Sequence, residues 1–290
     1  MPTASRSTGN GRAAKTQPGK AKPGKAKPAK ARPRSPLFIG STEKAFKVLH
    51  AFDGPQRHMT LADIARAAKL DRSATQRFVY TLETLGYLRR MPETRNYALT
   101  SKVLQFSYRY IHANELIDRA SPYLLEISRT LGETTNLHEL DGPEVVFVAR
   151  FPGQHLFNID IVVGSRLPAF FTASGTAILS RLSEAEQRDI LARTELTQIT
   201  PYTQTNPNVL MKRVRRAGET GYAVITNETV MGDIAVAAAI TDEHGRAVAA
   251  INVSVPISRW TLERAEAELA QHVQVAAASI SKSKFAPYRP

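Results

Sequence analysis

Residues 69–80, KLDRSATQRFVY, place two arginines, a glutamine, two hydroxyls and a tyrosine within little more than two helical turns. Wound as a helix, Ser73, Gln76, Arg77 and Tyr80 fall at i, i+3, i+4 and i+7 and share one face, with Arg72 at the leading edge. Phe78, Val79, Leu82 and Leu85 supply the opposite, buried face. Asp71 is placed to cap the helix by accepting from backbone amides near Ser73 or Ala74. These side-chain types are the ones that read duplex DNA. Arg bonds guanine through two donors, Gln bonds adenine through one donor and one acceptor, and small hydroxyls serve either base. A helix entering a major groove offers such tips at its N-terminal end, where it comes closest to the base edges. A solvated amphipathic helix also carries Arg and Gln outward, so the flanking residues must weigh between the two readings.

Upstream, Ala45, Phe46, Leu49 and Phe52 recur at helical spacing and predict a first helix, with Ser41 as its cap and Glu43 near its positive end. DGPQ at 53–56 ends it. Thr60 opens a second, short helix with capping-box spacing to Asp63 and an inward set of Leu61, Ile64, Ala65 and Ala68. It ends near Lys69-Leu70, and the third helix follows almost at once. Two capped helices joined by a tight turn, the second polar at its start, read as helix-turn-helix. Downstream, GYLRRMPETRNYALT (86–100) predicts strands from Tyr87 to Met91 and Tyr97 to Leu99 around a turn, decorated by Arg89, Arg90 and Arg95. A basic two-stranded wing beside a helix-turn-helix is a phosphate clamp, and it favours the DNA-reading alternative.

The charge is distributed accordingly. Residues 1–36 hold ten Lys/Arg and no Asp/Glu, residues 37–112 carry a net +6, and residues 113–290 a net −3. This basic front is the footprint of a polyanionic partner. Residues 20–34 repeat as KAKPG, KAKPA and KARPR, so residues 1–36 read as a disordered Lys/Pro/Ala-rich tail that proline keeps out of helix. The tail suits counterion release from DNA, or it merely solubilises the chain. GKAKPGKA from Gly19 mimics a phosphate-binding loop, but Ala26 stands where Ser or Thr is needed, with no strand before it or helix after it. The chain has no cysteine, which excludes disulfides, cysteine nucleophiles and cysteine-ligated metals. No apolar run is long enough for a membrane span and no signal-peptide block is present, so a soluble, cytoplasmic, nucleoid-associated protein is expected.

The order of parts then becomes recognisable. STEKAFKVLHAF, LADIARAAKLDRSATQRFVYTLETLGYLRR and RNYALTSKVLQFS resemble the N-terminal half of IclR-type transcription factors. The resemblance continues through ASPYLLEISRTLGETTNLHELDGPEVVFVAR, VGSRLPAFFTASGTAIL, GYAVITNE and AVAAINVSVPISR, covering about residues 37–280. It implies an α+β protein. A winged helix-turn-helix (37–100) is joined by a helical linker and dimerisation segment (101–132) to a GAF-like effector-binding domain with an antiparallel sheet (133–290). A two-fold protein, homodimer or dimer of dimers, matches a palindromic double-stranded operator. Within the linker, helices are expected over 101–113 and about 115–131, with Pro122 marking a start or a kink.

Beyond residue 133 the patterns alternate. TTNLHEL and EVVFVARF pair as a hairpin around DGP, while LFNIDIVVG, GYAVI, DIAVAAAIT and AVAAINVSV are further strands. Helices are expected over about 174–182, 184–193, 207–218 and 261–281. The small residues of GSRLPAFFTASGTA (164–177) let backbone approach a ligand, and a helix starting near Ser174 would present free amides to an anion. In similar proteins this junction holds a carboxylic acid effector. The resemblance carries that role to Ala173 and Ser174, and further contacts to Ile225, Ala235, Asn252 and Ser254. Relatives that sense small keto acids tend to have an acidic residue and a cysteine at the first two of these four later positions. Ile225 and Ala235 therefore imply a larger, less polar ligand, with Asn252 and Ser254 giving the hydrogen bonds or simply facing solvent. Arg166 is placed either to pair a second carboxylate or to form a structural salt bridge. GSRLPAFFT with AVAAINVSV looks most like the branch regulating protocatechuate and β-ketoadipate catabolism.

Two other functions make their own demands on the sequence. An enzyme needs a reactive constellation. The seven histidines are scattered without metal-ligand spacing, no nucleophile elbow appears, and His138 and Glu139 point to opposite faces of a strand. No catalytic residue, metal or cofactor is expected. A DNA-compacting protein would use the basic tail, but has no use for a large ligand domain.

Overall fold

The computed structural model describes residues 35–54, 56–154 and 161–282. The basic tail and part of LFNIDIVVG lie outside the described residues; the described remainder of that segment, 161–164, is loop and turn rather than the expected strand.

Three helices build the N-terminal unit: α1 (Gly40–His50), α2 (Leu61–Ala68) and α3 (Arg72–Thr84). Val48, Met59, Ile64, Ala68, Val79, Leu82 and Leu88 form its core. α2 begins with the expected capping box, in which Thr60 Oγ1 accepts from Asp63 N at 3.2 Å and the Asp63 carboxylate accepts from Thr60 N. α1 departs from expectation. It starts at Gly40, with Ile39 at the N-cap and no side-chain cap, so Ser41 lies inside the first turn. Its buried residue is Val48, and Phe46 is 53 % exposed. Leu85 is also exposed, because α3 ends at Thr84 and Leu85 turns the chain toward the wing. The wing is β1 (Leu88–Arg90) paired antiparallel with β2 (Tyr97–Leu99).

A 3-10 turn (Ser101–Val103) leads into α4 (Leu104–Ala113), then α5 (Glu115–Leu131). Pro122 does not start α5 but lies inside it. It sits on the solvent side, where water can satisfy the Asp118 carbonyl it leaves free, while Leu116, Ile117, Ala120, Leu124 and Ile127 anchor the helix in the C-terminal core on both sides of it. At the joint between α4 and α5, Asn114 Oδ1 accepts from Leu116 N and Ile117 N. Its amide nitrogen donates to Glu139 at 2.8 Å and to the Tyr110 hydroxyl, which also bonds Glu139.

The C-terminal sheet consists of β3 (Thr134–Asp141), β4 (Glu144–Phe151), β5 (Arg166–Pro168), β6 (Ala223–Thr226), β7 (Asp233–Thr241) and β8 (Ala247–Pro256). It is antiparallel throughout, in the order β5-β4-β3-β8-β7-β6. The other helices are α6 (Ala173–Leu179), α7 (Glu184–Arg193), α8 (Pro207–Thr220) and α9 (Leu262–Ser281). Alternation along β8 sets the layers. Ala249, Ile251, Val253 and Val255 face α5 and α9, whereas Ala250 faces α6 and α8. Continuing along that second face, alanine gives way to Asn252 and Ser254. One end of the α6 layer is therefore apolar and close-packed, and the other is polar.

The apolar end shows why Gly175 is glycine. A Cβ there would sit 2.1 Å from the Ala169 carbonyl oxygen. Thr172 caps α6 by accepting from Gly175 N at 3.0 Å, which fixes this close approach.

Candidate functional site

Two places gather side chains that packing does not explain. The first is the leading end of α3. Asp71 Oδ1 accepts from Ala74 N at 2.8 Å, as expected of the cap. Thr75 is buried and donates its hydroxyl to the Asp71 carbonyl at 2.8 Å, so it serves the helix start rather than the surface. The turn between α2 and α3 closes on Lys69 in the left-handed region (φ 54°), with Leu70 N donating to Ala65 O at 3.0 Å. Beyond this tight turn, Arg72, Ser73, Gln76, Arg77 and Tyr80 are all exposed on one side of α3.

On the wing, Arg89 and Arg90 are exposed along β1, and Arg95 caps the tip with a left-handed backbone (φ 57°). Among the described residues, none of Arg72, Arg77, Arg89, Arg90 and Arg95 has a carboxylate within 4 Å. Elsewhere pairing is common: Arg66 of α2 pairs with Asp63, and in the C-terminal domain Arg188, Arg213, Arg246 and Arg264 pair with glutamates. A basic surface left uncompensated inside the chain repels itself and is stabilised by an external polyanion.

The second place is the polar end of the α6 layer, a cleft of about 500 Å³ counting its open mouth. Ala173, Ile225, Ala235, Asn252 and Ser254, five of the sequence candidates, line it. The other two do not. α6 starts one residue earlier than expected, and Thr172 rather than Ser174 occupies its N-cap. Ser174 is thereby turned into the core, 1 % exposed, with its hydroxyl 2.9 Å from His138 Nδ1. Arg166 lies at the sheet edge outside the cleft, where Asp141 (2.7 Å) and Glu144 (2.8 Å) hold its guanidinium. It is a structural ion pair.

The cleft also contains residues that sequence reasoning missed. Arg150, Asn136 and Asn252 are cross-strand neighbours on β4, β3 and β8. Arg150 Nη1 donates to Asn136 Oδ1 at 2.9 Å, and Asn136 Nδ2 donates to Asn252 Oδ1 at 2.8 Å. Ser254 Oγ donates to Asp233 Oδ1 at 2.5 Å. Burial pushes the Asp233 carboxyl up to about 7, against the opposing pull of the Ser254 hydrogen bond and the Arg150 charge. Burial also drives the His138 imidazole down to about 3, with the Arg150 charge adding to the effect. Arg150 is itself half-buried, and burial lowers it from its ordinary value while the Asp233 charge opposes. The available signal was an Arg interrupting the apolar run of EVVFVARF and an Asn inside TTNLHEL, both at positions facing the sheet's polar end. Phe147, Ile161, Leu167 and Val230 give the cleft apolar walls. Such a site takes a small molecule with a hydrocarbon body and few polar groups.

Known proteins resemble the chain over both places. Residues 41–92 match the IclR helix-turn-helix domain, and residues 108–282 match the family described as bacterial transcriptional regulator IclR C-terminal. The Pca regulon regulatory protein of Pseudomonas putida is 32 % identical over 80 % of this chain and 79 % of its own length. A crystal structure of a transcriptional regulator from Rhodococcus sp. RHA1 is 31 % identical, with a TM-score of 0.71 over 84 % of this chain and 98 % of that one. An IclR homologue from Microbacterium hydrocarbonoxydans, crystallised with 4-hydroxybenzoate, shares the fold at 23 % identity (TM-score 0.69, 83 % of this chain and 97 % of that one).

Proposed function

The chain belongs to the IclR family of bacterial transcriptional regulators, and from that premise we propose that it reads a palindromic operator and releases or tightens on it in response to a small organic acid. Arg72, Ser73, Gln76, Arg77 and Tyr80 face the bases, and Arg89, Arg90 and Arg95 hold the backbone. The observation that carries this reading is the set of exposed arginines on α3 and the wing, without carboxylate partners among the described residues. The protein acts as a homodimer or dimer of dimers in the cytoplasm, associated with the nucleoid. The exposed Leu104, Phe106 and Tyr108 of α4 favour self-association through the linker. The effector enters the cleft lined by Ala173, Ile225, Ala235, Asn252 and Ser254. The likeness to the Pca regulon regulatory protein favours an aromatic-catabolism intermediate.

The test is operator selection from random DNA, followed by binding of Arg72→Ala and Gln76→Ala to selected and scrambled duplexes. Each variant should lose about 1–3 kcal/mol of discrimination. Unchanged discrimination in both removes α3 as the reading element.

A further inference from the structure

Hydrogen-bond polarity within the cleft fixes what its wall offers. A guanidinium only donates, so Asn136 must turn its carbonyl oxygen toward Arg150. Asn136 then presents its amide nitrogen to Asn252, which accepts through Oδ1. With its oxygen committed, Asn252 turns its own NH2 away from Asn136, and among the described residues no protein acceptor meets it. Arg150 uses one Nη1 bond on Asn136 and has no carboxylate within 4 Å among the described residues, although it is half-buried. Two donors thus face the cleft from β4 and β8, on either side of a buried asparagine that serves only to orient them. Arg150 is half-buried, and its one countercharge among the described residues, Asp233, stands beyond ion-pair distance; a planar two-oxygen acceptor suits donors of this kind.

We propose that Arg150 is the specificity-determining residue of the cleft, binding the effector's carboxylate together with the amide nitrogen that it orients, through Asn136, on Asn252. The inference rests on the effector-sensing reading above and adds the residue that recognises the acid. The ligand is an ionised carboxylate whose hydrocarbon body lies against the Phe147 and Leu167 wall. It puts the anion elsewhere than the sequence expectation does: the start of α6 has one amide taken by Thr172 and its serine turned to His138, which favours the sheet donors.

The experiment is calorimetric titration of the full-length protein with three acids, 4-hydroxybenzoate, 3,4-dihydroxybenzoate and hexanedioate, each beside its neutral amide. For the wild type, at least one acid should bind about 10- to 100-fold more tightly than its amide, the range of a charged hydrogen bond. Arg150→Gln should bring that ratio close to one, because the charge that separates acid from amide is gone. An acid preference that survives Arg150→Gln overturns the assignment while leaving the sensing reading intact. Failure of every acid to bind the wild type overturns the sensing reading and this assignment with it. If Arg150→Gln does not fold, Arg150→Lys decides. It keeps the charge but not the fork that orients the asparagines, so the preference should fall several-fold, and an unchanged preference again overturns the proposal.

Discussion

The cleft holds an acid and a base whose titrations oppose each other. Asp233, pushed from 3.8 up to about 7, keeps a proton in the folded state that the unfolded chain has released. Stability is therefore lost as pH rises between about 4 and 7. His138, driven from 6.5 to about 3, stays neutral where the unfolded imidazole takes a proton. Stability is therefore lost as pH falls from about 6.5 toward 3. Each slope is about 1.4 kcal/mol per pH unit, and the two windows overlap almost completely, so between pH 4.5 and 6.5 they cancel. Asp233→Asn preserves an acceptor for Ser254 and removes one term. Its stability relative to wild type should rise by about 2 kcal/mol across that interval. His138→Gln should show the reverse trend, falling by about 2 kcal/mol whatever its baseline. The assay is urea unfolding at fixed protein concentration, followed by the fluorescence of Trp260, the chain's single tryptophan, buried in the sensor core. Parallel pH profiles for wild type and Asp233→Asn would sink the argument that burial holds this carboxyl protonated.

Three further outcomes follow from local geometry and charge. Gly175→Ala forces a methyl onto the Ala169 carbonyl at 2.1 Å, so the sensor domain should lose at least about 2 kcal/mol, measured by the same unfolding assay. Lys69→Gly removes the left-handed strain in the helix-turn-helix and should be neutral to about 1 kcal/mol stabilising, whereas Lys69→Val should destabilise; thermal melts of the two will separate in that order if the turn is as described. Deleting residues 1–36, which removes ten basic groups, should weaken binding to all DNA alike and flatten the dependence of log affinity on log salt; an unchanged salt slope assigns the tail no DNA contact.

Much of this architecture was legible because its signals are local. The Thr60–Asp63 box, the Asp71 cap and the DGP hairpin depend on a few adjacent residues, and each appears where its chemistry puts it. The exposed face of α3 was equally legible, since a helix of known start fixes which residues share a side. Burial on α1 was less so. Phe46 and Val48 lie on either side of the apolar stripe, and packing against α2 and α3 selects the valine. Pro122 misled for a similar reason: tertiary anchoring from both sides outweighs the lost backbone bond. The cleft was read in halves. Positions carried from the family fell on its wall where strand alternation alone decides, as with Asn252 and Ser254. Arg150, Asn136 and Asp233 stayed hidden because their meaning is cross-strand. Register across β4, β3, β8 and β7 brings them together, and no single segment encodes that register.

His138 and Glu139 are consecutive, one on the ligand side of β3 and the other gripping Tyr110 and Asn114 at the foot of α4. A single peptide plane thus joins the cleft to the joint between α4 and α5. α4 is a ten-residue lever about 15 Å long. A tilt of about 10° at Asn114 would swing its far end, and the DNA reader attached there, by about 2.6 Å. That displacement is large beside the sub-ångström tolerance of a directed hydrogen bond.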